Sequence, residues 1–281
     1  MEAGCKFTLL RPRTGALPER GWSPTAAGVL ARALNLPARV IARPPRKFVL
    51  TVGQKAIFLA GVAPKFWHRL AFERDLWNQG IAHVAGVDEA GCGPLAGPVT
   101  AAAVVFPRSW LKTGLPAQFR GLNDSKQLTE DEREKFFARI QTHAEIRWAI
   151  AGLDAATIDR INIRQAAWQA MHRALDQLAP RAEHVLVDGL RIKWLPYRQT
   201  ALVQGDARSY SVAAASVLAK VTRDRLMREY DLQFPGYGFA IHKGYPTPQH
   251  LAALAQLGPC AIHRRSFRPL KPAPQAQPEL F

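Results

Sequence analysis

Hydrophobic and polar positions follow no lasting period over residues 1–80, and become regular from about His83. Val84–Val87 is a short apolar run. Val99–Phe106 and Glu145–Ala151 are apolar with enough alternation to predict strands of a sheet that has one helix-covered face. Between them Thr129 and Glu132 stand at capping-box spacing, which predicts a helix beginning there with Phe136, Phe137 and Ile140 turned inward. Ile161, Trp168, Met171, Leu175 and Leu178 recur at spacings of three, four or seven, the signature of one buried face of a long helix. "EHVLVDG" is a short apolar strand ending in Asp188, and "TALVQGD" repeats that pattern to end in Asp206. Ser211 to Met227 reads as a helix rich in Ala and Ser, able to lie close on a sheet. Beyond Phe267 the chain is Pro-rich and is expected to be disordered.

The organisation that follows is a basic Pro/Arg-rich stretch over 1–80, one domain over 81–268, and a tail over 269–281. Phe48–Val52 and Ala56–Val62 are short apolar pieces that do not make a domain. Residues 1–80 are expected to be poorly ordered, either as a basic extension or as coding sequence read from an upstream start. They hold 13 Lys/Arg against 4 Asp/Glu, and the remainder holds 25 against 18. The whole chain of 281 residues carries a net charge of +16. That balance points to a polyanionic partner, nucleic acid first. Membrane spanning is not expected, because no run of about 18 apolar residues occurs. Cys5, Cys92 and Cys260 form no CxxC pair, which fits a reducing cytoplasm and argues against a disulfide framework or a zinc knuckle. No secretory leader is evident at the N-terminus.

The chemistry concentrates where apolar strands run into acids: Asp88–Glu89, Asp188 and Asp206. Burying such charges costs several kcal/mol each unless something compensates them. Adjacent strand residues point to opposite faces, so Asp88 and Glu89 address one site only if the chain bends at Glu89, and Ala90-Gly91 offers that bend. Acids at one edge of an α/β sheet can meet in space. Carboxylates without Cys or His beside them are hard oxygen ligands suited to Mg²⁺ or Mn²⁺. Two such ions can clamp a phosphoryl displacement. Asp188 before Gly189 also suits a plain turn, and Asp206 before Ala207 also suits a helix cap. Asp224 reads as an ion-pair partner. His83, His143, His172, His184 and His250 read as surface or core residues.

At these residues the sequence resembles the bacterial ribonuclease HII family, the type 2 ribonucleases H. "GVDEAGCGPLAGPV", "GLNDSKQL", "VLVDG", "SVAAASVLAKVTRDRLM", "FPGYGFAIHKGYPTPQH" and "HRRSF" match that family in order and spacing over roughly 81–268. The resemblance implies a ribonuclease H-like α/β fold: a five-stranded mixed sheet flanked by helices, with a helical C-terminal part. It implies an endonuclease that cuts the RNA strand of RNA–DNA hybrids. It also implies cutting 5′ of single ribonucleotides in duplex DNA, leaving 3′-hydroxyl and 5′-phosphate ends, as in ribonucleotide excision repair. Mn²⁺ or Mg²⁺ would be held by Asp88, Glu89, Asp188 and Asp206. The backbone of the turn Gly91, Cys92 and Gly93 would recognise the 2′-hydroxyl. Tyr245 would stack at the RNA–DNA junction, and Lys126 would lie near backbone phosphates. A cytoplasmic monomer is expected. The family's turn usually reads Gly-Arg-Gly, so Cys92 departs from it, as does Gln204, where a Lys normally precedes Gly-Asp. Those departures keep open a catalytically weakened hybrid-binding protein, and a junction resolvase of the same fold is a third reading. Gln277 to Phe281 is similar to the short motif by which repair enzymes dock on the bacterial sliding clamp.

Overall fold

The computed structural model describes residues 69–271. The short apolar pieces before residue 69 and the clamp-like pentapeptide Gln277–Phe281 lie outside them. Fifteen short elements follow in order. They are α1 (Ala71–Asn78), β1 (Val84–Ala90), β2 (Val99–Val105), α2 (Trp110–Thr113), a 3-10 turn (Ala117–Phe119), α3 (Glu130–Thr142) and β3 (Arg147–Leu153). Then come α4 (Ala155–Ile161), α5 (Ile163–Asp176), β4 (His184–Asp188), β5 (Arg198–Leu202), α6 (Gly205–Arg208), α7 (Tyr210–Gln233), α8 (Phe239–His242) and α9 (Pro248–Leu257). The strands form one five-stranded sheet in the order β3-β2-β1-β4-β5. The β3-β2-β1 meander is antiparallel, while β1, β4 and β5 run parallel. This is the five-stranded mixed sheet that the family resemblance implies.

Period-two alternation divides β1 and β2 between two cores. Val84, Ala102 and Val104 turn to one face and pack with α1, α3 and α7. Ala85, Val87, Ala101, Ala103 and Val105 turn to the other and pack with Met171, Ala174 and Leu175 of α5. Small residues on α7 let helix and sheet approach at backbone distance. A Cβ added to Gly86 would sit 2.3 Å from the Ser211 carbonyl carbon and from the Val212 nitrogen. Glycine is required there for lack of room.

Three expectations need correction. The extension does not run to residue 80: α1 belongs to the domain, with Trp77 fully buried. Its Glu73, also fully buried, accepts hydrogen bonds from the Ser209 hydroxyl at 2.6 Å and from the Ser211 hydroxyl and N–H at 2.7 and 3.0 Å. A single acid in a short polar stretch leaves no periodic trace, which is why this contact escaped the sequence pattern. The long helix is two helices, α4 and α5, broken at Asn162 with φ +66°. Asn tolerates that left-handed conformation, and its side chain caps α5 by accepting from Gln165 N at 3.1 Å. Finally, β1 stays regular through Ala90, which pairs with Thr100, so the bend falls at Gly91. The capping box of α3 forms as expected, and Asp224 pairs with Lys220 at 2.6 Å. No helix among the described residues is long and apolar enough to cross a membrane.

Candidate metal centre

Parallel pairing of β1 with β4 aligns Val87 with Val187, which brings Asp88 and Asp188 level at the strand ends. Asp206 arrives from the connection after β5, within the four-residue helix α6 rather than at a strand end. Gln204 enters that helix in the left-handed conformation. One carboxylate oxygen from each of Asp88, Asp188 and Asp206 lies within 4.8 Å of the other two. Each acid is also held by a local donor. Asp88 accepts from Glu89 N at 2.7 Å, Asp188 from Gly205 N at 2.6 Å and Asp206 from Ala207 N at 2.9 Å. Glu89 is outside this triad. The regular strand turns its side chain away, and it accepts from the Cys92 thiol at 3.4 Å.

The electrostatics are those of anions without enough counter-charge. Burial, then the charges of Glu89 and Asp188, holds the Asp88 carboxyl well above the usual carboxylate range, although the Ser216 hydroxyl pulls it back. Burial raises Glu89 as well; the Cys92 hydrogen bond opposes this and the Asp188 charge adds to it. Asp206 is pushed up to about 6 by burial, then by the charges of Asp188 and Asp124. Lys126 is the cation facing this group. Partial burial disfavours its charge, but Asp124, Asp206, Asp88 and Asp188 together raise it above the ordinary lysine value. Three oxygen ligands of one sign, close enough to share an ion bound at about 2.0–2.6 Å, fit a divalent cation. No His or Cys joins them, which disfavours zinc.

The turn after β1 forms a second wall. Gly91 has φ +98°, and a Cβ there would meet Arg223 Nε at 2.2 Å. Arg223 and Arg264, both buried, lie under this turn. Arg223 donates to the carbonyls of Pro98, Ala96 and Lys243, each at 3.0 Å. Arg264 donates to those of Gly91, Cys92 and Gly97 at 2.6, 3.1 and 3.0 Å. Burial, then Glu89, drives the Cys92 thiol far above its ordinary value, so it stays protonated. Exposed Gly93 faces the Tyr245 ring: a Cβ on Gly93 would lie 3.6 Å from Tyr245 Cε1. Tyr245 itself is 43% exposed. Of the nine residues singled out from the sequence, the structure thus gathers Asp88, Asp188, Asp206 and Lys126 at one point. Glu89 with Gly91, Cys92, Gly93 and Tyr245 lies alongside. Asp124, Ser216, Arg223 and Arg264 were missed. Asp124 stood in view two residues before Lys126, but nothing in its spacing separates a site acid from a turn acid.

A mixed sheet in this order, with acids at the ends of its central strands, defines a protein of ribonuclease H-like fold. The ribonuclease H2 of Pyrococcus horikoshii OT3 superposes with a TM-score of 0.56 at 27% identity, over 67% of this chain and 95% of that one. A ribonuclease HII of Archaeoglobus fulgidus, solved as a complex with PCNA, shares the fold with a TM-score of 0.51 at 24% identity, over 62% of this chain and 87% of that one. The family model for ribonuclease HII matches residues 85–269, and the chain belongs to that family. The ribonuclease HII of Syntrophotalea carbinolica is 53% identical over 199 residues, 71% of this chain and 91% of its own length. That of Anaeromyxobacter is 49% identical over 206 residues, 73% of this chain and 63% of its own length.

Proposed function

We propose that this chain is a divalent-metal-dependent endoribonuclease. It hydrolyses the RNA strand of RNA–DNA hybrids and cuts 5′ of single ribonucleotides in duplex DNA, leaving 3′-hydroxyl and 5′-phosphate ends. The observation that carries the reading is the convergence of Asp88, Asp188 and Asp206 within 4.8 Å, on a chain of net charge +16. Glu89 completes the acidic set through its charge.

A divalent cation held by Asp88, Asp188 and Asp206 would supply an activated water and would stabilise the departing oxygen. The chain's own residues do the rest. Glu89 N, Gly205 N and Ala207 N orient the acids. Lys126 sets a positive charge beside them for the phosphate backbone. The turn handles the sugar. In a trans peptide the N–H points opposite to the C=O. With the Gly91 and Cys92 carbonyls drawn to Arg264, the N–H groups of Cys92 and Gly93 face away from it, as donors to a 2′-hydroxyl. Tyr245 offers an exposed ring for stacking, worth about 1–3 kcal/mol per base.

The test is a duplex containing one ribonucleotide, incubated with and without Mn²⁺ or Mg²⁺. Cleavage 5′ of that nucleotide, lost with chelator and with Asp88→Asn, is the expected result. Tight binding without cleavage would move the assignment to a weakened hybrid-binding protein, for which the Cys92 and Gln204 departures speak. Cleavage of an all-DNA branched substrate in its place would move it to a junction resolvase.

A further inference from the structure

The segment from Cys260 to Phe267 threads between the two walls of the site. Gly97 N donates to Ile262 O at 2.9 Å, Arg264 N to Leu95 O at 2.8 Å, and Leu95 N to Gly244 O at 2.8 Å. Its far end is tied to α4, where Asp159 accepts from Arg265 N at 2.8 Å and from Ser266 N at 2.9 Å. Two neighbouring buried side chains leave this segment toward different walls. Arg264 reaches the turn, as described. His263 reaches Tyr245 through a second histidine. Cys260 N donates to His263 Nδ1 at 3.0 Å, so the His263 proton sits on Nε2. His263 Nε2 is 3.1 Å from His250 Nε2, which must then accept. His250 therefore carries its proton on Nδ1, which donates to the Tyr245 carbonyl at 2.9 Å.

The surroundings hold this chain neutral. The His242 ring stacks on His250 at 4.4 Å, with its Nδ1 accepting from Gly244 N at 3.1 Å and its Nε2 directed to Tyr237 O at 2.8 Å. Phe239 meets the His250 ring edge-on at 5.5 Å, and Tyr237 and Phe239 lie 5.2 and 5.6 Å from the His263 ring. The Cys260 sulfur is 3.1 Å from His263 Nδ1, and Arg265 adds a positive charge nearby. An extra proton would set two N–H groups against each other between His250 and His263.

We propose that His263 and Arg264 are positioning residues, an adjacent pair that fixes the gap between the Gly91–Cys92–Gly93 turn and the Tyr245 ring, and so sets how well the site separates ribose from deoxyribose. The inference rests on the ribonuclease reading above. It goes further by assigning that selectivity to side chains that touch no substrate.

The experiment is a double-mutant cycle on the one-ribonucleotide duplex, with KM and kcat measured separately. His263→Leu lowers kcat/KM by about 10-fold or more, chiefly through KM, while His263→Gln, which keeps a donor toward His250, recovers most of the loss. In a Tyr245→Ala background His263→Leu has less than about a 2-fold further effect, because its route to substrate is already gone. Arg264→Met keeps its full effect in that background, since it acts through the turn. If His263→Leu does not fold, His250→Phe runs the same cycle: it keeps the stacked ring and removes the bond to Tyr245 O. Equal losses in both backgrounds, or losses confined to kcat, overturn the positioning role and leave the ribonuclease reading intact. A wild-type chain that leaves the substrate uncut overturns both.

Discussion

The acid triad and the His263–Arg264 pair are parts of one site, yet they are built on opposite terms. At the triad, carboxylates crowd within 4.8 Å, and the charge of Asp188 raises both Asp88 and Asp206. The Arg264 guanidinium and the imidazole nitrogens of His263 and His250 each meet a carbonyl, an N–H or another ring. A buried charge without compensation is costly, whereas a buried donor with its acceptor in place is close to neutral. The unfinished electrostatics therefore mark where a ligand enters. The finished hydrogen bonding marks what must hold still while it does.

The sharpest way to break this contrast is Asp88→Asn. Cleavage of the one-ribonucleotide duplex should fall by about 10³-fold. In chelator the unfolding midpoint should rise, because a charge that repels Glu89 and Asp188 is gone. A fall in midpoint would mean that the triad is stabilising without metal. Next in size is Trp77→Ala, which should cost about 3–5 kcal/mol in urea unfolding because the side chain is fully buried. Glu73→Ala should cost about 1–3 kcal/mol by stranding the Ser209 and Ser211 donors. Both test whether the domain begins before residue 80.

The two regions should also respond to pH with opposite sign. Asp206 has a raised folded value of about 6, so its contribution is intact below 3.8 and is lost as pH rises through about 6. His263 is held down to about 4 by burial first and then by His250, so its contribution is intact above 6.5 and is lost as pH falls toward about 4. In chelator, unfolding midpoints between those limits should rise more steeply with pH for Asp206→Asn than for wild type, and less steeply for His263→Gln. Unchanged slopes would sink the contrast. The smallest expected effect is Cys92→Arg. An added cation beside the substrate should raise kcat/KM by about 10-fold, read on the same duplex.

Much of this was legible beforehand for a physical reason: strands, caps and strand-end acids are local patterns. The three apolar runs became β1, β2 and β3 within three residues of their expected ends, and Thr129 with Glu132 formed its capping box. The acids at 88, 188 and 206 stood out because each follows an apolar run. What stayed hidden depends on partners distant in the chain. Arg264 reads as one of two adjacent arginines near the end of the domain until it is seen beneath Gly91, 173 residues earlier. His250 reads as a surface or core histidine; it is buried, and its role comes from His263 and Tyr245. Asn162 looked like an interior helix position because a periodicity of buried residues continues across a break that reverses only one φ.

The missing side chain at Gly86 has a mechanical consequence. With no methyl layer between strand and helix, there is no compliant material to absorb a displacement. The first turn of α7 and the strand two residues before Asp88 must travel as one solid piece. Glu73 grips that same turn, so a push on α1 reaches the chemistry undamped.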